Sequence, residues 1–119
     1  MIKAALTNRS KNAVVLPKLL VTDTLMEKCK GLIPFKGLSP DEGLLIPGCR
    51  SIHTFLMRFS IDCYFLDEEN KVLKIVRNVE PCRMSFGAWG TEHVLEVSSE
   101  SGKTLNIDLN DLLEIKETE

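Results

Sequence analysis

The sequence lacks every arrangement that would assign it a reaction on sight. Its four cysteines, Cys29, Cys49, Cys63 and Cys82, are scattered with no Cys-x-x-Cys pair, and only His53 and His93 accompany them. A zinc site normally shows two local pairs of ligands, so no metal is expected. Gly-x-Ser-x-Gly, His-Glu-x-x-His, paired Asp-x-Asp and Gly-x-Gly-x-x-Gly are all missing, which leaves no recognisable catalytic motif and no cofactor to expect. No window approaches the ~18 uninterrupted apolar residues of a membrane span, and Met1–Ser10 carries no continuous apolar core of a signal peptide. The chain is therefore expected in the cytoplasm, with no membrane partner. Basic excess is absent too: 15 Lys and Arg face 17 Asp and Glu, a net charge of −2. Nucleic-acid modules carry a net basic face, so nucleic acid is not an expected partner.

What is present is the material of one globular domain. At 119 residues and 44% hydrophobic content, the chain can bury a core without disulfides and is not disordered. In a reducing compartment the cysteines read as free thiols filling core space, Cys63 foremost because it alternates into a strand face.

The clearest local signal is Ile61–Leu66, then Asp67-Glu68-Glu69-Asn70, then Lys71–Val76. Two apolar runs joined by four turn-forming or charged residues predict a β-hairpin at the centre of the core, with Ile61, Cys63 and Phe65 opposite Asp62, Tyr64 and Leu66. Ile2–Thr7 and Ala13–Leu16 predict an earlier hairpin that Pro17 ends or pushes to a sheet edge. Thr22 or Asp23 can cap a short helix, Thr24-x-x-Glu27 matches a capping box, and Gly31 with Pro34 supplies the stop. Residues 31–48 read as loop around a short strand at Leu44-Leu45-Ile46. Val79–Gly90 is irregular, yet carries Phe86 and the only tryptophan, Trp89, and is expected to fold over something. Further strands are expected at Glu92–Ser98, around Leu105, Ile107 and Leu109, and at Leu112–Lys116, with a turn at 99–103. Together these give a mainly β, single-domain β-sandwich or partly closed barrel of about eight short strands with one short helix.

Arg50–Phe59 supplies the chemistry. As extended chain it places Ser51, His53, Phe55, Met57 and Phe59 on one face and Arg50, Ile52, Thr54, Leu56 and Arg58 on the other. Apolar groups on both faces predict a central strand. The ordered series Gly31-Leu32-Ile33, Glu42-Gly43-Leu44-Leu45, Ser51–Phe59, Ile61-Asp62, Phe65-Leu66-Asp67 and Val94-Leu95-Glu96-Val97 resembles the bacterial and archaeal family called domain of unknown function 192. The resemblance spans roughly 22–116 and implies a compact, mainly β domain with no assigned role. Many members have Phe-Trp-Met where Phe55-Leu56-Met57 stands, an arginine where Phe35 or Lys36 stands, and Gly-Asp where Asn110-Asp111 stands.

Arg50, His53, Arg58 and Asp62 fall within thirteen residues. Their plain structural use is an Arg58–Asp62 or Arg50–Asp62 ion pair with His53 hydrogen-bonded in the core, and Met57, Met84 and Trp89 as core. The functional expectation is a binding module for a small polar or anionic ligand, or a partner segment. It would use Arg50, His53, Arg58 and Asp62, with Trp89 as aromatic cover, where the Arg50–Phe59 strand meets Val79–Gly90. Two alternatives accompany it: a hydrolase or transferase using His53 with Cys49, Cys63 or Asp62, and an interaction domain working through a sheet edge. The sequence sets no oligomeric state.

Overall fold

The computed structural model describes residues 1–118. It is mainly β, as the sequence indicates. Strands β1 (Ile2–Asn8) and β2 (Ala13–Val21) lead to helix α1 (Leu25–Lys30), then β3 (Glu42–Pro47) and β4 (Ser51–His53). The hairpin β5 (Ile61–Leu66) and β6 (Val72–Val79) follows, then β7 (Met84–Phe86), β8 (His93–Ser98), the single turn α2 (Ser99–Gly102) and β9 (Leu113–Glu117). Seven strands form one mixed, open sheet in the order β6-β5-β8-β3-β2-β1-β9, and β4 and β7 form a separate two-stranded flap. Among the described residues this is one strand and one helical turn more than expected, and 105–109 forms no strand.

The predicted hairpin is present and β5 is buried along its whole length, but the hairpin does not sit at the centre: it closes one end of the seven-stranded sheet, with β6 as the partly exposed edge strand. The alternation of β5 separates two cores. Tyr64 and Leu66 join Leu6, Leu16, Leu95 and Ile107 on one side of the sheet. Cys63 and Phe65 join Leu32, Leu44, Ile52 and Val94 on the other. The capping box at α1 also forms, with Glu27 N donating to Thr24 Oγ1 at 3.1 Å and Asp23 N donating to Glu27 Oε1 at 3.0 Å.

Two further expectations fail for identifiable reasons. Pro17 does not end β2, because it falls in a bulge: Leu6 faces Leu16 and Ala4 faces Leu19, so Pro17 and Lys18 together oppose Ala5. A bulge leaves one position without a ladder bond, which suits a residue with no N–H. The strand then continues as the parallel partner of β3 across the crossover 22–41. Arg50–Phe59 is not a central strand either. Only Ser51–His53 is extended, and it pairs β7 outside the main sheet. The chain turns at Thr54, with Leu56 at φ 66, because Thr54 binds the 80–83 segment instead of a strand. Its Oγ1 donates to Glu80 O at 2.6 Å and accepts from Arg83 N at 2.8 Å. Its backbone bonds Arg83 O and Cys82 N.

Candidate functional site

The flap builds a groove from β4 and the turn after β7. Ser51 faces Phe86 and His53 faces Met84 across the pair, so the intervening Ile52 points inward and is buried. Gly87 N donates to Arg50 O at 2.9 Å, and Cys49 N donates to Glu92 O at 3.0 Å, closing the loop. Glycine is required at 87, since a Cβ there would stand 2.5 Å from Thr91 Oγ1 and 2.9 Å from Arg50 O. The result is an open groove of about 550 Å³, lined by Arg50, Phe86, Trp89, Thr91 and Glu92 among others. Arg50 reaches Glu92 Oε1 at 3.2 Å. Trp89, expected as cover or core, is fully exposed at its rim, and Met84 is exposed too.

The other sequence-selected residues scatter. His53 is exposed, not hydrogen-bonded in the core, and its ring stacks on Phe55 at 5.2 Å. Arg58 is exposed on the turn after β4 and lines neither this groove nor the cavity behind it. Asp62 is buried, and its ion-pair partner is neither Arg50 nor Arg58. It accepts from Arg77 Nη1 at 3.1 Å and Asn78 N at 2.8 Å. The register explains this: Ile61 faces Val79 and Cys63 faces Val76, so Arg77 and Asn78 form a bulge opposite Asp62. The structure thus joins Arg50 with Trp89 and leaves His53, Arg58 and Asp62 outside the groove.

Behind the flap lies a smaller cavity of about 60 Å³, which His53 and Cys49 share with α1 residues and Glu96. Ser51 lines both spaces. Burial pushes the Cys49 thiol up, and its Sγ donates to Ser51 O at 2.9 Å. Cys63 is fully buried and raised well above the ordinary thiol range by the same cause. In both, burial disfavours the thiolate, which is the reactive form.

Glu96 is the residue that strand periodicity missed. Alternation puts Val94 and Glu96 on one face of β8 and Leu95 and Val97 on the other, and both faces are buried. Glu96 sits between Leu44 of β3 and Cys63 of β5, is 3% exposed, and its Oε1 has no hydrogen-bond partner. Desolvation raises its pKa to about 7. The available signal was an acid inside an otherwise apolar run, Val94-Leu95-Glu96-Val97.

Two solved structures share this architecture. A protein of unknown function from Novosphingobium aromaticivorans DSM 12444 superposes with TM-score 0.75 at 24% identity, covering 94% of this chain and 83% of that one. A protein from Sinorhizobium meliloti 1021, described as a candidate transcription regulator, superposes with TM-score 0.80 at 19% identity, covering 96% and 92%. At these identities the likeness is one of fold. No functionally curated protein matches the sequence. The family model for DUF192, described as "Uncharacterized ACR", matches residues 5–115, nearly the whole chain, and the protein belongs to that family.

Proposed function

We propose that this chain is a single-domain binding module for a small planar anion, such as an aromatic carboxylate or a nucleoside monophosphate, held in the groove between β4 and residues 86–92. The observation that carries the reading is the convergence of Arg50 with Trp89 and Phe86 on one open surface. The two segments that build the flap, 50–61 and 81–91, contain three arginines, a histidine and no carboxylate, in a chain whose net charge is negative.

Arg50 is 75% exposed in its pair with Glu92. Such exposed pairs contribute only about 0–1 kcal/mol, so a ligand carboxylate or phosphate can replace Glu92 with little loss and gain bidentate geometry. Trp89 and Phe86 offer faces for a flat ring. The hydrolase or transferase reading gains less support: Asp62 is committed to Arg77, and both candidate thiols are raised by burial. A partner segment on the same face is the second reading, favoured by the exposure of Phe55, Leu56 and Met84 alongside the groove aromatics.

Trp89 makes the test direct, because the only tryptophan is the proposed contact. Titration with aromatic carboxylates and nucleoside monophosphates should change its emission. A ligand at ~100 times its dissociation constant should stabilise the fold by ~2.7 kcal/mol. Arg50→Ala and Trp89→Ala should remove that stabilisation, while Arg58→Ala and His53→Ala should keep it. A ligand bound equally well by the Arg50 and Trp89 variants would place the site elsewhere.

A further inference from the structure

The cavity behind the flap carries a second inference, independent of the groove. We infer that it is a site for the terminal carboxamide or urea group of a small molecule, which pairs with the carboxyl of Glu96.

Glu96 occupies the middle of β8, where an apolar side chain would satisfy the sheet. It is flanked by Leu44 and Cys63 and covered by Gly31, Ile46 and Met57. Oε1 lies 3.7 Å from the position a Cβ on Gly31 would take, so the carboxyl reaches the underside of the α1 C-cap. A buried polar atom with no partner is a standing energetic defect. Here it borders open volume, and a guest can repair it.

Size and charge narrow the guest. About 60 Å³ is the liquid volume of roughly two waters, which suits a group of about three heavy atoms. The ionisable groups around Glu96 are Lys28, Cys29 and Lys30 of α1, Cys49 just before β4, His53 at its end, and Cys63 of β5; β3 contributes only the apolar Leu44 and Ile46. Among these described neighbours none is a second carboxylate, and the two lysines of α1 disfavour a cation at the entrance. Burial favours the protonated carboxyl, which has one donor and one acceptor edge. A carboxamide presents the matching pair, its oxygen accepting from the acid O–H and its N–H donating to the carbonyl oxygen.

The mechanism has a signature that an ammonium guest would invert. Binding to the protonated carboxyl weakens as Glu96 ionises, whereas an ammonium would bind the ionised form more tightly. With a pKa of about 7, raising the pH from about 6 to about 8 should weaken amide binding about tenfold.

The experiment titrates acetamide, with methylammonium in parallel, into 15N-labelled protein and follows backbone amide shifts. Acetamide should move Gly31, Cys49 and Glu96 at the lower pH and do so about tenfold more weakly at the higher one. Glu96→Gln keeps a donor and an acceptor, so it should retain acetamide binding and lose the pH dependence. Glu96→Leu should abolish binding, and if that variant does not fold, the Glu96→Gln pH profile decides by itself. Three results would overturn the inference: no shifts at the cavity with acetamide, tighter methylammonium binding as pH rises, or an unchanged pH profile in Glu96→Gln.

Discussion

Glu96 and Gly102 show what a single position contributes to this molecule. Burial holds the Glu96 carboxyl at about 7 against an ordinary 4.5. Between those values the native state keeps a proton that the unfolded chain releases, so stability from this group falls as pH rises through the window. The full effect is roughly 3 kcal/mol. Glu27 is held at about 2 by hydrogen bonds from Asp23 N–H and the N-terminal ammonium, and Asp111 is also lowered, by hydrogen bonds from Asn8, Asp108 N–H and Lys11 that outweigh its desolvation. Those two act with the opposite sign and at lower pH. Urea melts should therefore find wild type less stable at pH 8 than at pH 5, and Glu96→Gln should flatten that difference; an equal slope in both proteins would refute the assignment. At Gly102 an added Cβ would lie 1.8 Å from Asp62 Oδ2, and Arg77 also donates to Gly102 O at 3.2 Å. Gly102→Ala should destabilise by about 1–3 kcal/mol through displacement of that ion pair, which chemical denaturation will read.

Individual elements differ sharply in how they are held. Strand β5 is buried on both faces between β6 and β8, and Phe65 is wholly inaccessible. Phe65→Ala should lower stability by ~3–5 kcal/mol, and a loss below about 1 kcal/mol would contradict its burial. The flap depends instead on Thr54, whose hydroxyl joins Glu80 O to Arg83 N. Thr54→Val keeps the shape and removes both bonds, so about 1–3 kcal/mol should be lost. Hydrogen exchange should speed up at Cys82, Arg83 and Gly87 while β5 stays protected. Uniform acceleration across the sheet would show that the flap is not a separate unit. The β5–β6 hairpin was readable because both its runs and its turn lie in consecutive residues, whereas its place at the end of the sheet was not. The β4 boundary was not, because Thr54 is turned by residues 80–83, which lie about 26 positions away.

At the scale of the whole molecule, thiol chemistry gives a check on the fold. Cys29 and Cys82 are exposed, Cys49 is partly covered and Cys63 is buried. A thiol reagent should label two cysteines quickly, one slowly and the last only on unfolding; rapid labelling of Cys63 would be incompatible with the arrangement of β5. The mainly β class, the capping of α1 and the faces of β5 were decided by the sequence itself, since side-chain alternation, cap chemistry and turn residues act over a few positions. Strand order was decided only in three dimensions. Nothing local places β9 beside β1 or makes β2 and β3 parallel, because those pairings follow from burying both faces of one sheet at once. The same holds for the candidate sites. Arginine and tryptophan were visible as chemistry, but Arg50 and Trp89 come to line one groove only through the β4–β7 pairing. Asp62 found Arg77 through a bulge in β6. Glu96 became exceptional only when packing on both sides of β8 removed its route to water, and desolvation is a property of the surroundings that no spacing of residues encodes.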